Sequence, residues 1–157
     1  IRAAVPGLAF TAALLHDLGK LPLSRGAQDS QMQQVQKLVL DKGCPWEDAE
    51  RMVFGFSHAD LGAMLAQRWE SPEEIVLAIR FHHPQPGDQT YPIVDMVMVA
   101  NVVARCIGEG IGSQGMEFSV DSTCRDRLGV TKEDLDWVCA TTAVAAEALF
   151  ATYAATT

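Results

Sequence analysis

The sequence predicts an all-α fold, a compact helical bundle, and three observations carry that prediction. Aromatic residues make up only 7% of the 157 while alanine is frequent, a balance that favours helix over sheet. Apolar residues recur at three- and four-residue spacing between recognisable start and stop signals. No stretch has the alternation of a half-buried strand.

Composition narrows the function classes. With 48% hydrophobic and 20% charged residues the chain can bury a core, so a disordered segment is excluded. A formal charge of −8 opposes nonspecific attachment to nucleic acid or anionic lipid, whose phosphates are held by Lys and Arg. No run of eighteen apolar residues exists, so no membrane span is expected. Cys44, Cys106, Cys124 and Cys139 stand far apart without a C-x-x-C pair, which argues against a thiolate zinc site and suits inert positions in a reducing, cytoplasmic compartment. The chain opens inside an apolar pattern without Met or a signal-peptide layout; the expectation is one domain over 1–157 that lacks preceding helices of a longer protein.

Leu8 to Leu18 is apolar on every side, as in a helix at the centre of a bundle. His16 and Asp17 fall in its last turn, and Gly19 is expected to close it in the left-handed conformation. Pro22 and the polar Ser24–Ser30 stretch predict a loop. Met32, Val35, Leu38 and Val39 mark the next helix, closed by Gly43. A short helix opens at Pro45, with Glu47 and Arg51 four apart on its exposed face, and Gly55 ends it. Ser57 caps the following helix with Asp60 three residues on, so His58 lies in the first turn. Ser71-Pro72-Glu73-Glu74 starts another, in which Ile75, Ile79, His82 and His83 share the buried face before Pro84 stops it. Pro92 to Ile107 is almost wholly apolar, interrupted by Asp95, Asn101 and Arg105. The Gly-rich Gly108–Gly115 stretch reads as a flexible loop, because no βαβ unit surrounds its G-x-G-x-x-G letters. Thr131 and Asp134 cap a final long helix whose buried side is expected to carry Leu135, Val138, Cys139, Thr142, Leu149, Phe150 and Tyr153.

All four histidines fall at helix ends and have apolar neighbours, Leu15, Ala59 and Phe81. Three chemical handles, the ring of His16, the carboxylate of Asp17 and the ammonium of Lys20, lie within five residues, which suits a metal and a phosphate. The plainer alternative is a set of satisfied core histidines.

His16-Asp17-Leu18-Gly19-Lys20 resembles the signature of the HD superfamily of metal-dependent phosphohydrolases. Ser57-His58-Ala59-Asp60-Leu61-Gly62-Ala63, Trp69 to Ile75, and Ala78-Ile79-Arg80-Phe81-His82-His83-Pro84, in that order, resemble its HDOD branch from about Phe10 to Ile107. The resemblance implies an all-helical bacterial signalling or regulatory module for which catalysis is generally not established. It further implies a protein partner or a small-molecule ligand such as a nucleotide, and is compatible with a homodimer.

The sister HD-GYP phosphodiesterases hydrolyse cyclic di-GMP at a two- or three-metal centre. Carried over, their roles would make His16, Asp17, His58, His82 and His83 metal ligands, with Asp17 bridging two ions and Lys20 facing the substrate phosphate. The cofactor would be a divalent metal, Fe, Mn or Mg, with no metal as an equal alternative. Three departures stand against that pattern. A first ligand histidine, expected on a preceding helix, is missing; Asn101 takes the place of a ligand aspartate; and the segment after His83 keeps Tyr91-Pro92 but not the Gly-Tyr-Pro tripeptide. An uncharged amide is a poorer partner for a hard cation. Two readings follow: a noncatalytic HDOD-type regulatory module with a degenerate pocket, and a metal-dependent phosphohydrolase acting on a nucleotide or cyclic dinucleotide.

Overall fold

The computed structural model describes residues 6–83, 91–108 and 122–154, and within them every regular element is a helix. In chain order these are α1 (Pro6–Leu15), α2 (Lys20–Gly26), α3 (Asp29–Lys42), α4 (Trp46–Phe54), α5 (His58–Arg68), α6 (Glu73–Phe81), α7 (Pro92–Cys106), α8 (Ser122–Leu128) and α9 (Lys132–Ala154). The chain divides into two compact units, 1–97 and 98–157, with the boundary inside α7.

In the first unit α6 packs against α1 and α5, α2 and α4 flank α5, and α3 lies on α4. The packing surface of α5 is made of small residues, Ala59, Gly62, Ala63 and Ala66, at spacings of three and four. They let neighbouring backbones come close. A Cβ on Gly62 would stand 2.9 Å from Ile79 Cγ2, and one on Gly19 would collide with the His58 carbonyl oxygen. Gly19 itself is right-handed, φ −65° and ψ −18°, so the expected left-handed cap is corrected: glycine is needed there for space, not for its dihedral freedom. Gly43 and Gly55 do take the left-handed conformation behind α3 and α4.

Two further expectations change. The loop expected at Pro22 and Ser24–Ser30 shrinks to Ala27 and Gln28: α2 begins at Lys20 and accommodates Pro22 in its first turn, where a missing N–H costs no helical hydrogen bond, and α3 starts at Asp29. His16 and Asp17 consequently stand in the turn between two helices, beyond the end of α1. The α5 start matches the expected capping box, with Ser57 Oγ accepting from the Asp60 amide and Asp60 Oδ2 accepting from the Ser57 amide at 3.0 Å.

In the second unit Val103, Cys124 and Leu128 are buried. Along α9 the expected inner side is half-buried at Leu135, Val138, Cys139 and Thr142, whereas Leu149, Phe150 and Tyr153 are exposed. By length and composition α9 is the one described helix that reaches the level of a membrane-spanning segment, although it carries Glu147 and a charged first turn. Most of the Gly108–Gly115 stretch lies outside the described residues.

Candidate metal centre

The turn after α1, the start of α5 and the end of α6 converge inside the first unit. Asp17, His58, His82 and His83 each bring one ligand atom to a spot where all four lie within 4.8 Å of one another. His58 and His82 are buried. His16 adjoins the group, its ring 4.9 Å from that of His82.

The ring tautomers are set from behind. His16 Nδ1 donates to the Ala13 carbonyl and His82 Nδ1 to the Ile79 carbonyl, each at 2.7 Å. A carbonyl can only accept, so the proton sits on Nδ1 and the Nε2 of a neutral ring keeps its lone pair. His58 Nδ1 donates to Glu50 Oε2, also at 2.7 Å. All these Nε2 atoms, with Asp17 Oδ1 and His83 Nε2, are buried and have no hydrogen-bond partner.

Asp17 Oδ1 stands 3.4 Å from Nε2 of both His58 and His82, and its Oδ2 stands 3.3 Å from His16 Nε2. None of these contacts has hydrogen-bond alignment. Burial alone would raise the Asp17 carboxyl, but the surrounding histidines His16, His58 and His82 outweigh it and hold the group far below the usual carboxylate range. Burial would likewise depress His58, yet Asp17 and Glu50 reverse the sign and raise it from 6.5 to about 9. For His82 burial prevails over Asp17, aided by the charges of His83 and His16, and the ring falls to about 4. His82 is therefore neutral at pH 7, with a lone pair on Nε2 facing the lone pairs of Asp17 Oδ1. Two buried acceptors with no proton between them call for a cation.

Three imidazole nitrogens and a carboxylate oxygen fit a first-row transition ion, whose imidazole affinity exceeds that of Mg²⁺. The donor set thus fits the implied metal, with Asp17, His58, His82 and His83 at its centre and His16 beside them.

The other sequence-predicted residues are placed differently. Lys20 Nζ donates to Asp17 Oδ2 at 2.7 Å, so in this structure it holds the aspartate. Asn101 is half-buried on α7 in the second unit. Sequence reasoning missed the acids of α4. Glu47 is not on an exposed face: both it and Glu50 are buried. Glu50 Oε2 accepts from the His58 amide and ring, and its Oε1 accepts from Trp46 Nε1 at 2.9 Å. Glu47 Oε1 lies 2.7 Å from His83 Nε2; burial would raise this carboxyl, but His83 pulls it down to about 2. The available signal was spacing, since Glu47 and Glu50 are three apart and share a side of α4 with Phe54, while Met52 faces out.

The model of the HDOD domain family matches residues 1–85, more than half of the chain. The chain belongs to the HDOD domain family. A Treponema pallidum (strain Nichols) protein of uncharacterized role is 30% identical to this HDOD chain over 98 residues, which are 61% of the chain and 19% of the relative. Among solved structures, a Marinobacter aquaeolei VT8 protein provisionally named for signal transduction is similar with a TM-score of 0.76 and 21% identity. That likeness covers 96% of this chain and 33% of the other, and it shows the fold. An HDOD domain protein of unknown function from Geobacter sulfurreducens is similar at TM-score 0.58 and 30% identity, over 85% of this chain and 48% of that one. The chain therefore spans about a fifth to a half of the length of the proteins it matches.

Proposed function

We propose that this HDOD domain is a bacterial signalling or regulatory module in the cytoplasm whose His/Asp pocket holds one divalent transition ion, such as Fe²⁺ or Mn²⁺, without catalysing turnover. Asp17, His58, His82 and His83 would hold the ion. Its chemistry there is to supply a positive charge that fixes the three elements around it and can take an anionic small-molecule ligand.

The observation that carries this reading is the division of Asp17 between two partners. Two-metal hydrolysis of a phosphoester places ions about 3.5–4 Å apart and needs ligands that span them. Lys20 occupies Asp17 Oδ2, and Oδ1 alone is left facing the pocket without a hydrogen bond. A carboxylate used in this way supports a single ion. The pairing of Lys20 with Asp17 at 2.7 Å supports a positioning role for its ammonium.

Metal analysis of the purified chain after loading with Mn²⁺ or Fe²⁺, alongside His58→Ala and His82→Ala, tests the reading. One ion per chain, lost in both variants, with no hydrolysis of a generic phosphodiester, is the expected result. Two ions with turnover would replace it by the phosphohydrolase reading. No bound metal in the wild type would return the histidines to the core.

A further inference from the structure

The four cysteines stand far apart in the sequence, and none is in a disulfide. Inert positions were expected for all of them, but folding brings two together. Cys106, the last residue of α7, and Cys139 on α9 meet within the second unit, their thiols sharing a side-chain hydrogen bond. The two differ in access: Cys106 is exposed and Cys139 half-buried. A sulfur–sulfur hydrogen bond is longer than the disulfide length of about 2.05 Å, so bond formation draws the pair closer. The encounter that must precede it is already made.

We propose that Cys106 and Cys139 are a redox modification site, two thiols that close reversibly into an intramolecular disulfide. The bond would turn residues 107–138, with α8 among them, into a covalent loop and tie the end of α7 to α9. In a reducing compartment such a bond is transient, which suits a regulatory module. The site lies apart in sequence from the histidines, and its argument uses no metal.

The oxidant is a low-molecular-weight disulfide. Cys106, the accessible thiol, gives up its proton and attacks one sulfur of the reagent, whose S–S bond breaks and releases a small thiolate that takes up a proton. Cys139, deprotonated in turn, attacks the Cys106 sulfur of the mixed disulfide and expels the second small thiolate, which is likewise protonated. Two electrons and two protons thus pass from the protein thiols to the reagent. The order of the steps follows from the surroundings. Burial raises the Cys139 thiol above its usual range, and the neighbouring Cys106 and Asp136 add to the shift. A thiol with so little anion is a slow first nucleophile. The same environment favours the closed form, because a pair whose thiolate is not stabilised gains by oxidation.

The test is incubation of the full chain with oxidised glutathione, an acid quench, alkylation under denaturing conditions and peptide mass spectrometry. The wild type is expected to lose two of its four alkylatable thiols, with the Cys106 and Cys139 peptides joined, and to regain both on reduction. Cys139→Ser should stop at one glutathione on Cys106, and Cys106→Ser should leave Cys139 the slower to react. The same oxidation of the urea-unfolded chain should give mixed pairings. Glutathione held on wild-type Cys106 without the joined peptide, disulfide-linked dimers, four unchanged thiols, or equal pairing in folded and unfolded chains would each overturn the proposal. Should a serine variant fail to fold by circular dichroism, the joined wild-type peptide decides.

Discussion

One carboxylate oxygen, Glu50 Oε2, accepts both the backbone amide and the ring Nδ1 of His58, each at 2.7 Å. It ties the first residue of α5 to α4 and fixes the direction of the ring in the same contact. The pair is buried, His58 at 0% and Glu50 at 1% exposure, so losing one partner strands the other. Glu50→Ala is expected to lower stability by about 3–5 kcal/mol, the cost of breaking a buried ion pair. Urea denaturation followed by circular dichroism measures it; a midpoint equal to wild type would mean that the pair carries no such load.

The two buried histidines give the metal-free protein opposite dependences on pH. His58 is raised from 6.5 to about 9, so its contribution is complete below pH 6.5 and disappears as pH rises through 9. His82 is lowered from 6.5 to about 4, so its contribution is present above pH 6.5 and disappears as pH falls through 4. Asp17 and Glu47, both depressed, add to the loss on the acid side, below their ordinary 3.8 and 4.5. Stability of the metal-free chain is therefore expected to peak near pH 6.5, and urea midpoints taken from pH 4 to 9 should trace a dome. A curve still rising between pH 7 and 9 would contradict the His58 assignment.

Saturating metal should flatten the alkaline side of that dome. An ion at Nε2 takes the place of the His58 proton, and its binding releases that proton at pH 7. Calorimetric titration in two buffers of different ionisation enthalpy is expected to show proton release. Equal heats in both buffers would indicate that His58 is not displaced.

Gly19 and Gly26 make a contrasting pair within one short stretch. A Cβ at Gly19 meets the His58 carbonyl oxygen and comes within 2.7 Å of the Gly62 amide nitrogen, while one at Gly26 meets nothing within 4 Å. Gly19→Ala must push α2 away from α5 and is expected to cost at least the roughly 1–3 kcal/mol of an overpacked core. Gly26→Ala should be neutral or stabilising by up to about 1 kcal/mol. Thermal denaturation of the two variants separates them; equal effects would show that the close approach is not rigid.

Ser57→Ala removes the acceptor for the Asp60 amide and the hydroxyl that donates to Asp60 Oδ2. The expected loss is about 1 kcal/mol, as for other N-caps. Ser57→Asp should not restore it, because its carboxylate would face Asp60 Oδ2, which the hydroxyl now meets at 2.9 Å; urea midpoints of the two variants measure both effects.

The histidines were legible because each breaks an apolar pattern at a helix end, and a polar ring there has to face something. Convergence was not legible, since spacing along the chain does not fix distance across it. The acids of α4 were hidden by a reasonable rule: Glu47 and Arg51 stand four apart, the usual arrangement of a solvated pair, but Arg51 instead reaches Asp48 and Asp60. Pro22 concealed α2 because a proline is tolerated in a first turn and reads as a break elsewhere. Gly19 was recognised as necessary for the wrong reason, since the approach of the α5 backbone is a tertiary fact.

The residues that α4 buries are Glu47, Ala49 and Glu50, two acids and the smallest of methyl groups. Its inner face is thus attached by charge more than by oily surface, and the strength of that attachment follows the protonation and loading of the rings it touches. A proton or a cation arriving at the histidines becomes a change in the grip on a helix whose opposite side, at Met52, already faces the solvent.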